Sequence, residues 1–144
     1  MVKRLFLILT LIVSASHLSA QSTNDFLVGA AMDFLKTDID QVFEKVQLGI
    51  EGHYFVVRNF AVGAGGEFWT TNQQNSFMMG MRWYPSDNFF VRFRGLIGAN
   101  EAALGGAWTK PLNKDLRLEV MGDYFFVSTE FALRAGVSLV LRKK

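Results

Sequence analysis

The sequence predicts an all-β chain that closes as an eight-stranded antiparallel up-and-down transmembrane β-barrel, preceded by a cleavable signal peptide. Three observations predict it. Apolar and polar residues alternate with a period of two over segments of about ten residues, the length that a tilted membrane-crossing strand requires. After Ala20 no apolar run approaches the roughly 20 residues of a spanning helix. On the polar face of the alternation, acidic and basic side chains occur in equal number.

Residues 1–20 read as the signal peptide: Lys3 and Arg4 form a charged start, Leu5 to Val13 an apolar core, and Leu18-Ser19-Ala20 a small-residue cleavage site. The remaining residues, 21–144, suit one domain, the barrel. Of the 15 basic residues, Lys3 and Arg4 belong to the leader, so the rest balance the 13 acidic ones. The basic pI therefore gives no reason to expect nucleic acid as a partner. The chain has no cysteine, which removes disulfides, thiolate metal ligands and a thiol nucleophile.

In chain order, the first four strand segments are Phe26 to Phe34, Val46 to Phe55, Phe60 to Trp69 and Phe77 to Tyr84. The fifth is clearer, with Phe89, Val91, Phe93, Gly95, Ile97 and Ala99 opposite Phe90, Arg92, Arg94, Leu96 and Gly98. The sixth runs from Ala103 to Thr109. The seventh sets Leu116, Leu118, Val120, Gly122, Tyr124 and Phe126 against Arg117, Glu119, Met121, Asp123 and Phe125. The eighth has a wholly apolar face, Phe131, Leu133, Ala135, Val137, Leu139 and Leu141. Compact turns, Val57-Arg58-Asn59, Pro85-Ser86-Asp87-Asn88 and Pro111-Leu112-Asn113-Lys114-Asp115, join strands at one end. The other end has the connections 35–44, 70–75, 100–102 and 127–129.

Alternation alone fits a soluble barrel as well as a membrane barrel, and the distribution of charge separates them. Lysines beyond the leader lie at 36, 45, 110, 114, 143 and 144, in loops, at strand starts or at the terminus. The polar face carries Asp33, Glu51, Glu67, Glu119 and Asp123 with Arg82, Arg92, Arg94, Arg117 and Arg134. Such matching is what a confined interior needs, because an unpaired buried charge costs several kcal/mol. Arginine serves there because one guanidinium binds two carboxylates. Aromatic residues near strand ends, Tyr54, Phe60, Trp69, Trp83, Tyr84, Phe89, Trp108 and Tyr124, are expected to form the interfacial girdles of a membrane barrel.

The run Met81-Arg82-Trp83-Tyr84-Pro85-Ser86-Asp87-Asn88-Phe89-Phe90-Val91 resembles the strand, short turn and strand of the outer membrane β-barrel domain family. Members of that family include small barrels related to OmpX, Ail and the OmpA transmembrane domain. The stretch Phe60-Ala61-Val62-Gly63-Ala64-Gly65-Gly66-Glu67-Phe68 is similar to its next recurring strand type, which follows an Asn-containing turn such as Arg58-Asn59. The resemblance implies an eight-stranded barrel with a polar interior and no single activity. This chain departs from the family in ending Leu141-Arg142-Lys143-Lys144, without the usual final aromatic. Its mostly short loops also point away from an adhesive role.

Catalytic signals are sparse. His53 is the one histidine after the leader and falls on the polar face of the second strand, where an interior hydrogen-bonding role is expected. Ser138, His53 and Asp123 could supply a triad only by geometry that spacing does not show. No metal, cofactor or phosphate site is expected. The glycines from Gly63 to Gly66 lack the lysine, hydroxyl residue and following helix of a phosphate loop.

The expectation is a non-enzymatic outer-membrane protein with a structural or surface-interaction role and no open pore, since an eight-stranded barrel has little room beyond its side chains. Expected partners are outer-membrane lipid and the barrel-assembly machinery, with the protein a monomer. Two alternatives are a soluble lipocalin-like barrel holding a small apolar ligand and a membrane-embedded lipid-modifying enzyme.

Overall fold

A computed structural model of the protein describes residues 22–36, 47–69 and 75–143, so the leader and the connections 37–46 and 70–74 lie outside the described residues. The strands are β1 (Phe26–Lys36), β2 (Gln47–Val57), β3 (Phe60–Trp69), β4 (Ser76–Ser86), β5 (Phe89–Ile97), β6 (Glu101–Pro111), β7 (Leu116–Phe125) and β8 (Glu130–Leu141). Each pairs antiparallel with its neighbours in sequence, and β1 pairs with β8 to close the barrel. Closure leaves no strand with an unpaired edge, as a backbone surrounded by hydrocarbon requires.

The period-two sequence decides which face is which. On β5 the buried row is Phe90, Arg92, Arg94 and Leu96, while Phe89, Val91, Phe93 and Ile97 are exposed. On β8 the buried row is Ala132, Arg134, Ser138 and Val140, and Phe131, Val137, Leu139 and Leu141 are exposed. A shift of one residue would turn every charge outward, so the alternation also fixes the register.

Several strands run beyond the sequence expectation. β6 starts at Glu101 rather than Ala103, because the Glu101 carboxylate accepts the backbone N–H groups of Val127 and Ser128 at 2.8 and 3.0 Å. That contact ties the β5–β6 connection to the β7–β8 connection. β4 continues past Pro85 to Ser86, with a register shift between Trp83 and Ser86 that accommodates a residue lacking an N–H. At the opposite end of the chain's first hairpin, Asn24 donates to the Phe55 carbonyl and Phe55 to that of Asp25, extending the β1–β2 ladder.

Gly63 is required by close approach. It faces inward on β3, where an added Cβ would lie 2.2 Å from the Gly52 carbonyl oxygen and 2.5 Å from His53. Gly106 has open space at the same point. Gly63→Ala is expected to destabilise the barrel by about 1–3 kcal/mol, and Gly106→Ala to change stability by less than about 0.5 kcal/mol. Urea unfolding in lipid vesicles, followed by tryptophan fluorescence, measures the difference.

Candidate functional site

The barrel interior holds the chemistry. β1 contributes Asp33, β2 Glu51, β3 Glu67, β4 Arg82, β5 Arg92 and Arg94, β7 Arg117, Glu119 and Asp123, and β8 Arg134, all buried. β6 contributes only small inward residues at this level, Ala103, Gly105 and Ala107. An added Cβ on Gly105 would stand 2.0 Å from Asp123 Oδ1, so the bare backbone of β6 makes the space that the carboxylate fills.

Nine of the ten expected charges join one continuous set of hydrogen bonds and ion pairs. Ser138 donates to Glu119 at 2.7 Å, and Arg82 Nη1 donates to both oxygens of Glu119 at 3.0 and 3.1 Å. The other arm of Arg82 reaches Glu51, and Arg92 stands 3.6 Å from the same carboxylate. Arg92 also binds Asp123 through two nitrogens, and Arg94 bridges Asp123 at 2.7 Å and Glu67 at 2.5 Å. Arg134 donates to both oxygens of Glu67 at 2.8 Å and reaches Asp33. Gln47 adds a bond to Glu67 at 2.9 Å. Arg117 is buried but takes no part in this set. Arg82 and Arg92 are direct cross-strand partners, a like-charge pairing that holds only because Glu51 lies between them.

Apolar layers flank the ionic one. Toward the tight turns, Phe55, Tyr84 and Phe90 stack with ring centroids 5.5 and 5.0 Å apart, and the Arg82 guanidinium lies 4.6 Å from the Phe90 centroid. Toward the other end, Met78, Leu96, Ala103, Phe125 and Ala132 pack together. Residues that sequence reasoning missed include Asp25, which is buried and accepts the Ser22 N–H at 2.9 Å, and Gln47. Gln47 shares the row of Glu51 and His53 on β2, which was the available signal.

Among the described residues the one triad considered from the sequence is not assembled. His53 is buried, Ser138 is bonded to Glu119, and Asp123 is bonded to Arg92 and Arg94, so the three do not form a triad. Among the described residues no group of acidic residues, histidines and cysteines could hold a metal.

The outer face is apolar around the barrel, and its aromatic residues pair in register near the tight turns: Phe26 with Tyr54, Phe60 with Trp83, and Phe89 with Trp108. Tyr124 is exposed at the other end, beside Phe126 in an edge-on contact and opposite Phe131. Two expected girdle residues are corrected. Tyr84 is buried inside the barrel, 4 % exposed and 3.4 Å from Arg82 Nη1, because it shares the row of Arg82 and not that of Trp83. Trp69 lies on the inward row of Glu67, opposite Gln47, and is half-buried at the rim. The lipocalin-like alternative calls for a polar outside, and the outer face here is apolar instead.

A closed eight-stranded antiparallel barrel with a charged interior and an apolar exterior has the fold of transmembrane β-barrels. Among solved structures, a de novo designed transmembrane β-barrel is similar to this chain with a TM-score of 0.64 and 14% identity, covering 84% of this chain and 98% of that chain. The solution NMR structure of the de novo designed TMB2.3 gives a TM-score of 0.63 and 15% identity, covering 85% and 98%. No family model matches the chain, and no curated protein matches its sequence.

Glu67→Ala would leave Arg94 and Arg134 each short of a counter-charge in the interior. It is expected to destabilise the barrel by about 3–5 kcal/mol. Asp115→Ala, which removes the half-exposed pair with Arg142, is expected to cost less than about 1 kcal/mol. Urea midpoints of the two variants in the same vesicles decide it.

Proposed function

We propose that this chain is a non-enzymatic integral protein of the outer membrane, exported through a cleaved signal peptide at residues 1–20 and inserted as a monomer by the barrel-assembly machinery. The observation that carries this reading is the reversal of polarity. Exposed Phe, Leu, Val and Trp side chains ring the outside while four arginines and five carboxylates are bonded together within. Water would leave the outer face unfavourably solvated, whereas hydrocarbon favours it and forces backbone bonds to be made internally.

In this reading the barrel is of the small OmpX-like kind, with its tight turns and both ends of the chain toward the periplasm. Its role is structural or one of surface interaction. Two of the four connections at the other end, residues 98–100 and 126–129, are short, which favours a role other than adhesion. The lipid-modifying alternative would need polar reactive groups at the outer rim, and the burial of His53 favours the non-enzymatic reading instead.

The barrel is proposed to be non-conducting. The ionic layer and the stacked Phe55, Tyr84 and Phe90 lie across its axis, and Arg82, Arg92, Arg94 and Arg134 are among its largest fully buried side chains. Two measurements test the proposal. Fractionation should place the protein in outer membranes, with a gel mobility that changes on boiling, and recovery in the soluble fraction would overturn the membrane assignment. In planar bilayers the purified protein should show no steady conductance, and stable open levels would overturn the closed interior.

A further inference from the structure

We propose that one corner of the turn end, formed by the β6–β7 turn and the end of β8, is a binding site for the headgroup of an anionic phospholipid. The inference rests on the membrane reading above and adds to it a lipid class and a location.

The corner is built rather than merely charged. Asn113 Oδ1 accepts the backbone N–H groups of Asp115 and Leu116 at 3.0 and 2.8 Å, and Leu112 N–H bonds to the Leu116 carbonyl at 2.9 Å. The turn is then tied to β8, because Val140 N–H donates to the Asp115 carbonyl at 2.7 Å and Arg142 Nη2 to the Lys114 carbonyl at 2.7 Å. These bonds hold Lys114 and Arg142 side by side. Lys110 and Lys143 are exposed on the same corner. Among the described residues Asp115 is the one carboxylate at this corner, 3.5 Å from Arg142 Nε, so there four cations face one anion.

Charge complementarity selects the occupant. On the outer face beside these cations lie Leu116, Leu118, Leu139 and Leu141, with Leu116 paired to Leu139 and Lys110 to Leu118. An aliphatic wall beneath a cluster of cations matches a molecule with acyl chains and a negative headgroup. Elsewhere at this end the wall is aromatic, Phe26 with Tyr54, Phe60 with Trp83 and Phe89 with Trp108, which suits the interface in general, and no comparable cation cluster stands beside it among the described residues. Each basic side chain near an anionic surface contributes on the order of 1 kcal/mol, about fivefold in affinity.

The test uses the purified protein inserted into vesicles of equal phosphatidylglycerol and phosphatidylcholine, with retained lipid counted by native mass spectrometry after gentle extraction. Phosphatidylglycerol should be retained over phosphatidylcholine by on the order of tenfold. The combined variant Lys114→Gln, Arg142→Gln and Lys143→Gln should bring the ratio near unity while the boiling-dependent gel shift persists. Arg58→Gln, on the β2–β3 turn, should leave the ratio unchanged. Equal retention of both lipids by the inserted wild-type protein, a loss as large from Arg58→Gln, or a lipid-free dimer occupying the corner would each overturn the site while leaving the membrane reading intact. Failure to insert into the vesicles would overturn that reading and this inference with it.

Discussion

The bonded set of arginines and carboxylates inside the barrel is the constraint on which the other features depend. A carboxylate or guanidinium away from water is tolerated only when its charge and its hydrogen-bonding capacity are both met nearby. The charge of Arg94 is met by Asp123 and Glu67, and Arg134 donates through all three of its nitrogens to Glu67 and Asp33. Space for these groups comes from residues that carry no charge, above all Gly105 opposite Asp123. The aromatic stack of Phe55, Tyr84 and Phe90 shields the layer from the turn end, and exclusion of water strengthens each ionic contact.

Much of this was legible in the sequence because a strand's side-chain period is two, so each row could be read as a unit. The eight strands and the membership of the charged row follow from that period and from the equal numbers of opposite charges. Strand ends were less legible. The start of β6 depends on Glu101 capping a connection that lies 26 residues further along the chain. Partner choice was not legible either, as Arg134 and Asp33 are 101 residues apart and meet only because β1 and β8 close the barrel.

Tyr84 shows how a compositional signal misleads where the periodic one is sound. Trp83 and Tyr84 look together like an interfacial pair, yet neighbours in a strand face opposite ways, and Tyr84 therefore follows Arg82 inward. The same logic places Trp69 with Glu67. Asp25 escaped notice because it precedes the first strand, and only the backbone bonds of Asn24 and Phe55 carry the ladder far enough to enclose it.

The direct pairing of Arg82 with Arg92 bears on how the fold is reached. The hairpin of β4 and β5 carries three inward guanidiniums and no inward carboxylate, so on its own it sets cation against cation. The anions that relieve this arrive from outside the hairpin, from β2 and β3 on one side and from β7 on the other. Partly assembled sheets that lack β2, β3 or β7 are thereby penalised, and β8 then completes the set by placing Arg134 between Glu67 and Asp33. Opening the β1–β8 seam would part Arg134 from Asp33 and leave a buried charge on each strand short of its partner, so closure carries an electrostatic gain as well as backbone bonds.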